Sequence, residues 1–551
     1  MSTIADQSWI HATNETTIMI QRNIILHPFL MGLYTVLIPF TINSDQVSPT
    51  LILRALILVQ IVAAIILVSF QVLIRDWQLT GLICFFTLAI TLNYRHFLYV
   101  AQKSYVSTWV FRIAFLLLIS ILLLFVLRRA IWKKISSHIN INQWLNVFTV
   151  ILLIFPGFEV AGKSYLFLID SRKVSEYQRN LQADAIVFPS DNKRDIYYII
   201  VDGYGRGEIL ADLYAFDNSE FLNYLSENGF YIAGNSRSNY MQTALSLTSS
   251  MNMILLDQLA SIIGENSNDR GILSRLIQNS YVIDTFRKNG YKLVTFYPGF
   301  FYTNLSQADV YYSPFMDINE YEGLFLHNSI LKNILIQNES IPVYGYESHR
   351  RIIEYSLEHL GGTARIPGPK FVFVHFLAPH PPFIFDHTGE AITSNFDYSM
   401  NDGSDFHGTV DEYITGYANQ LIYLNKRLQE AIEEILANSP QPPIIILQGD
   451  HGPGAYLDWG NSAKTCLLER TAILNAYYMP ELPEGVFYPS ISPVNSFRIL
   501  LNHYFQQDLE LLPDRISYST WKSPFQFVDV TNSPNQVKNC GEQGSSSPKD
   551  N

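Results

Sequence analysis

Two hydrophobic rhythms divide the chain. Before residue 165 the apolar residues fall in long runs, close to the ~20 residues that a helix needs to cross a hydrocarbon core. These runs predict five membrane-spanning helices, over Ile24 to Ile42, Leu56 to Ile74, Gly81 to Leu98, Trp109 to Leu127 and Trp144 to Val160. Asn93, Arg95 and His96 interrupt the third, and Pro156 lies near the end of the fifth, where it is tolerated. From Asp195 the rhythm changes to short apolar strands alternating with amphipathic helices, the pattern of a mainly parallel sheet covered on both faces. Ile196 to Val201, Lys292 to Tyr297, Phe371 to Phe376 and Ile444 to Leu447 read as buried strands. Tyr417 to Leu436 reads as a helix with Leu421, Leu424, Leu428, Ile432 and Ile435 on one face. The expected organisation is a transmembrane region over 1–165, a linker over 166–194, an α/β domain over 195–530 and a disordered tail over 531–551, rich in Ser, Asn, Pro and Gly.

Charge sets the orientation. The connection before the fifth predicted helix carries Arg128, Arg129, Lys133 and Lys134, whereas the first two connections carry only Arg54 and Arg75. The basic connection is therefore expected on the cytoplasmic side, against the smaller opposing weight of Arg95 and Lys103. An odd number of spans then puts Arg22 inside and everything after residue 165 outside. The first run follows a polar stretch without a small-residue cleavage pattern, so it is expected to stay as a helix. The block reads equally as a plain anchor or as part of lipid handling. A net charge of −12 with no basic stripe excludes a nucleic-acid partner. Of the three cysteines, Cys84 lies in an apolar run, and Cys466 and Cys540 are expected as free thiols, although they alone could pair outside a membrane.

Ligands of open α/β sheets bind beyond the carboxyl ends of the strands. The first strand ends in Asp202-Gly203, the third runs into His375-Phe-Leu-Ala-Pro-His380-Pro-Pro, and the fourth ends in Gly449-Asp450-His451-Gly452. Asp202, Asp450 and His451 would share one rim, offering two carboxylates and an imidazole to a divalent cation. Singly, an Asp-Gly after a strand is more often only a turn. Adjacent Asp450 and His451 between glycines, which would let backbone approach a ligand, are harder to read so. Leu247, Met251, Ile254 and Leu255 fall at helical spacing and place Thr243 at a helix N-terminus. There its hydroxyl would meet unpaired N–H groups and the positive end of the dipole, a seat for phosphate or sulfate. A plain capping threonine is the alternative.

The segments I-V-D-G-Y-G-R at 200–206, Q-T-A-L-S-L at 242–247, H-F-L-A-P-H-P-P at 375–382 and D-H-G-P-G at 450–454 stand in the order and spacing of membrane-anchored sulfatase-like proteins of the alkaline phosphatase superfamily. Over residues 190–530 the chain resembles that family, and is similar to bacterial enzymes with five N-terminal helices such as lipoteichoic acid synthases and lipid A phosphoethanolamine transferases. The resemblance implies a sulfatase-like α/β fold and a single divalent metal, Mn²⁺ or Zn²⁺, on Asp202, Thr243, Asp450 and His451. Thr243 would also be the nucleophile. His375 and His380 would contact the substrate phosphate or the leaving group, and His375 has a structural alternative at a buried strand end.

Two departures matter. Sulfatases build formylglycine from a Cys or Ser in C/S-x-P-x-R, and Thr243-Ala-Leu-Ser-Leu lacks both the Pro and the Arg. Nor does a D-x-x-x-H ligand pair of two-metal phosphatases follow the third strand. The implied activity is transfer of a phosphoethanolamine-like or phosphoglycerol-like head group from a phospholipid donor to an envelope glycan or lipid, with a hydrolase of phosphate or sulfate esters as the alternative. A non-catalytic binding protein is a third reading. The implied setting is a multi-pass protein of a bacterial plasma (inner) membrane with its catalytic domain extracytoplasmic.

Overall fold

The computed structural model describes residues 24–44, 49–94, 141–181, 186–189, 193–315, 320–330, 345–392, 396, 398–533 and 540. It falls into two compact units, residues 1–167 with 317–343, and residues 168–316 with 344–551.

The first unit is helical. Two of its apolar helices are long enough to cross a membrane by length and composition, Pro49–Ile74 and Ile141–Arg179, while His27–Ile42 and Trp77–Leu92 are shorter. The second and fifth predicted spans fall on the two long helices, and the first on His27–Ile42. The third is displaced: the Asp76 side chain accepts from the N–H groups of Gln78 and Leu79 and starts a helix at Trp77, which ends at Leu92 before the polar Asn93. The predicted fourth span and the end of the third, over 95–140, lie outside the described residues. The fifth helix runs on from Ile141 to Leu181 and takes in much of the expected linker. No proline follows Pro156 in it, and Leu, Glu, Lys and Arg are good helix formers, so nothing local stops it.

A further element joins this unit from a stretch that the sequence assigns to the outer domain. In the helix Glu320–Asn328, Tyr321 and Phe325 are buried with Val36, Phe40, Ala63 and Leu67. Arg54 donates to Glu322 at 2.5 Å, and the Tyr321 hydroxyl donates to the Val36 carbonyl.

The second unit is built on a seven-stranded sheet. In chain order the strands are β1 (Ile196–Val201), β2 (Tyr231–Ile232), β3 (Lys292–Phe296), β4 (Val310–Tyr312), β5 (Lys370–Phe376), β6 (Ile444–Gln448) and β7 (Asn475–Tyr478). Their order across the sheet is β2-β7-β6-β1-β5-β3-β4. β6, β1, β5, β3 and β4 run parallel, and β7 and β2 add an antiparallel edge. The four predicted strands appear within a residue or so of their expected ends.

Alternate residues of β1 enter two separate cores, which is why the strand reads as one apolar run. Tyr198 and Ile200 pack with Leu247 and Met251 of the helix Thr243–Asn252 and with Phe497 and Leu501 of Pro493–Tyr504. Tyr197, Ile199 and Val201 pack with Leu421, Leu424, Leu428, Ile432 and Ile435 of Val410–Asn438. That helix begins earlier than its apolar stripe because Thr409 and Glu412 form a reciprocal capping box.

Cys466 and Cys540 are joined in a disulfide, against the expectation of free thiols, and close a separation of 74 residues. Sequence separation gives no hint of this pairing. The expected disorder of the tail falls largely on 534–539 and 541–551, outside the described residues.

Candidate metal centre

The three central strands bring the predicted residues to one rim. After β1, the Asp202 N–H donates to the Phe376 carbonyl at the end of β5. Gly203 then takes φ +73°, a value side chains rarely adopt, and its N–H donates to Asp450 Oδ1 at 3.1 Å. The glycines beside Asp450 and His451 serve packing between backbones rather than ligand approach. A Cβ on Gly449 would stand 2.5 Å from the Tyr204 carbonyl, and one on Gly452 2.0 Å from that of Glu469.

Asp202, Asp450 and His451 are 2%, 1% and 1% exposed, and one ligand atom from each lies within 4.8 Å of the other two. His451 Nε2 is 3.4 Å from Asp202 Oδ1 and 3.4 Å from Asp450 Oδ2. The opposite ring nitrogen, Nδ1, stands 2.9 Å from the Gly452 carbonyl and so carries the hydrogen. Nε2 therefore presents a lone pair to two carboxylate oxygens, neither of which receives a hydrogen bond. Buried acceptors facing one another, with both carboxylate oxygens left without a donor, are costly. A divalent cation removes that conflict, and the mixed oxygen and nitrogen set fits one. Burial and the Arg470 guanidinium lower the pKa of His451, which favours the neutral, ligating imidazole. Burial alone would raise Asp202, but His380, His375 and His451 hold its carboxyl below the ordinary range.

Thr243 is the first residue of its helix, with Gln242 as the cap. Its Oγ1 lies 3.2 Å from His451 Nε2, beside the cluster, and Gln242 makes no side-chain capping bond in its place. Thr243 is half-buried, whereas Ala244 to Asn252 are buried. Ser246, one turn on, donates to the Asp450 carbonyl at 2.7 Å.

His375 is buried behind Asp202, with Nδ1 2.9 Å from Thr303 Oγ1 and Nε2 3.4 Å from Asp202 Oδ2. His380 stands further forward. Its Nδ1 is 2.5 Å from the Pro381 carbonyl and its Nε2 is 3.6 Å from Asp402 Oδ2. Both ring nitrogens thus face oxygen acceptors.

Asp402 and Arg470 are the residues that sequence reasoning missed. Arg470, 1% exposed, donates from Nη1 to Asp402 Oδ2 at 2.6 Å and to the Gly452 carbonyl at 3.1 Å. Its Nε donates to the Met241 carbonyl at 3.0 Å, and its Nη2 lies 3.2 Å from His451 Nε2. Tyr413 donates to the other oxygen of Asp402 at 2.8 Å. Burial opposes ionisation of Asp402, yet Arg470, His380, His451 and Tyr413 together keep its carboxyl below the usual range. Next to Arg470, burial pushes the Glu469 carboxyl up to about 8, although Tyr214 and the backbone N–H of Tyr456 donate to it. Asp402-Gly403 looks like turn chemistry and Leu-Leu-Glu-Arg like a helix surface, so neither pattern stands out. Beside this cluster a cavity of about 590 Å³ is lined by Tyr346, Pro382, Phe383, Phe406, Asp411 and Glu412 among others. Phe383 and Phe406 pack on the Tyr413 ring, with centroids 5.3 and 5.1 Å away.

Comparison with curated protein sequences finds no match. Among solved structures, the C-terminal periplasmic domain of EptC from Escherichia coli is 13% identical, with a TM-score of 0.43, over 64% of this chain and 96% of that one. A 2-O GAG sulfatase is 12% identical, with a TM-score of 0.37, over 61% and 74%. The soluble domain of lipooligosaccharide phosphoethanolamine transferase A from Neisseria meningitidis is 11% identical, with a TM-score of 0.33, over 62% and 95%. The sequence profile of the sulfatase family matches residues 194–478, more than half of the chain, from the segment just before β1 to the end of β7. With that match over more than half of its length, the chain belongs to the sulfatase family.

Proposed function

We propose that the enzyme is a metal-dependent transferase that moves a phosphoethanolamine-like or phosphoglycerol-like head group from a phospholipid to an envelope glycan or lipid through a phospho-threonine on Thr243. The observation that carries this reading is the contact of Thr243 Oγ1 with His451 Nε2 at 3.2 Å, at a helix N-terminus and beside the unsatisfied oxygens of Asp202 and Asp450. Asp202, Asp450, His451 and Thr243 would hold one divalent ion, Mn²⁺ or Zn²⁺ by the donor set. When bound, the ion acidifies the threonine hydroxyl and offsets negative charge on the transferring group.

Thr243 Oγ bonds to phosphorus as the bond from phosphorus to the donor lipid's oxygen breaks. The hydroxyl proton leaves to water, and His380 supplies one to the departing oxygen. In the second half an acceptor hydroxyl attacks the same phosphorus, His380 takes back its proton, and Thr243 Oγ leaves and is reprotonated. The free N–H groups at the helix start stabilise charge on the non-bridging oxygens. His375 acts through Asp202, holding the carboxylate toward the cluster.

The proposed setting is a multi-pass protein of a bacterial plasma membrane with this unit outside the cytoplasm. The Arg128 to Lys134 cluster supports it, as does the Cys466–Cys540 disulfide, which forms and persists in oxidising compartments. The test is product analysis with labelled phospholipid and envelope extract as acceptor. Head group joined to an acceptor supports the transferase, whereas free phosphorylated head group alone replaces it with a hydrolase.

A further inference from the structure

We propose that Arg470 is a further catalytic residue, whose Nη2 donates to a non-bridging oxygen of the transferring group; this rests on the phosphoryl-transfer reading above. The segment Thr243 to Leu247 contains no basic side chain, so the nucleophile's own helix brings no cation to the site. Arg470 brings one from another element, the short helix Leu467–Thr471.

Its guanidinium is fixed at two of its nitrogens and over one face. Nε is held by the carbonyl of Met241, two residues before the nucleophile, and Nη1 by Asp402 and by the carbonyl of Gly452, next to His451. The Trp459 ring covers it, with the guanidinium carbon 5.2 Å from the centroid. Nη2 differs from the other two nitrogens, because the contact it makes, at 3.2 Å, is with the Nε2 lone pair of His451. That lone pair is the one turned toward Asp202 and Asp450, and Thr243 Oγ1 stands 3.2 Å from the same nitrogen. A metal on His451 would take the lone pair and free the Nη2 hydrogens. An anchored guanidinium would then hold unpaired N–H groups next to the nucleophile, the arrangement that binds oxyanions in fixed geometry. Neutralising Asp402 requires only Nη1, so a purely structural arginine leaves this edge unexplained.

The test measures binding of inorganic orthovanadate to metal-loaded protein by calorimetry, with metal content by elemental analysis. Two variants are compared with wild type. Arg470→Lys keeps a cation for Asp402 without the planar fork. The double variant Asp402→Asn/Arg470→Gln removes both charges together, so that neither is buried alone should the single variant fail to fold. The expected result is full metal occupancy with orthovanadate affinity lowered at least about tenfold in both, the scale of a lost charge-assisted hydrogen bond, and kcat lowered more than KM is raised. Wild-type orthovanadate affinity in either folded, metal-loaded variant overturns the proposal. Orthovanadate can take up a nucleophile's oxygen as a fifth ligand, so the titrations are repeated in the Thr243→Ala background, where the same loss on changing Arg470 keeps the outcome separate from the fate of the phospho-threonine reading. That reading fails on its own terms if wild type shows no adduct on Thr243.

Discussion

Two clusters share the rim beyond the central strands, and they solve the problem of buried charge in opposite ways. Around Asp402 every charge has its partner within the chain: Arg470 and Tyr413 donate to the two carboxylate oxygens at 2.6 and 2.8 Å. Among the described residues no cation stands between Asp202, Asp450 and His451, and Asp202 Oδ1 and Asp450 Oδ2 receive no hydrogen bond. The first cluster is complete as folded, and its loss should cost stability. The second is strained as folded, and what it is built for comes from outside. Fold stability is therefore expected to depend on Asp402 and metal uptake on Asp450.

The largest contrast is expected at Asp450. Asp450→Asn should lower turnover by several orders of magnitude and abolish metal uptake measured by elemental analysis. In metal-free protein the same change removes a charge from a crowded acceptor cluster, so the melting temperature should stay level or rise. Added metal should stabilise wild type by about 2.7 kcal/mol at a hundred times Kd and the variant not at all. Full occupancy in the variant would break the distinction between the clusters.

The opposite behaviour is expected at the satisfied cluster. Asp402→Asn should leave metal occupancy intact and lower stability by about 3 kcal/mol in denaturant titration, because a buried guanidinium loses its counter-charge. A variant as stable as wild type would show that the pair contributes nothing to the fold.

The difference also explains what was legible from sequence. Asp450 and His451 are adjacent, and Asp202 closes a strand of six apolar residues, so position relative to the sheet was enough to find them. Thr243 could be placed by the helical spacing that follows it. Asp402 and Arg470 are 68 residues apart, one in a turn and the other in a five-residue helix, and meet only through the tertiary fold. The helix Glu320–Asn328 left no sequence signal of its own, and its burial with Val36 and Phe40 is visible only in the tertiary fold. The glycines around Asp450 were readable as necessary, but only the Tyr204 and Glu469 carbonyls explain why.

Smaller effects should follow from the elements that carry Arg470. Cys466 caps the helix Leu467–Thr471 and ties it to Cys540. Replacing both cysteines by serine should cost about 2 to 4 kcal/mol, as expected for opening a long cross-linked loop. An unchanged denaturation midpoint would dismiss that role. A pH-dependent effect concerns Glu469. With its carboxyl at about 8 in the fold against 4.5 in the unfolded chain, the folded state retains a proton that the unfolded state has lost. Stability should therefore fall as pH rises from about 4.5 to 8, and Glu469→Gln should flatten that slope. Parallel pH profiles of melting temperature for the two proteins would refute the burial effect.

The central claim is that Thr243 carries the transferred group, and peptide mass analysis after incubation of metal-loaded protein with phospholipid tests it most directly. The account predicts a covalent phosphoryl adduct on the peptide containing Thr243 in wild type. Thr243→Ala should show no adduct and turnover lower by several orders of magnitude, yet melt like wild type, since Gln242 and not Thr243 is the helix cap. Turnover near the wild-type level by a folded, metal-loaded Thr243→Ala protein, or an adduct on another residue, would contradict it.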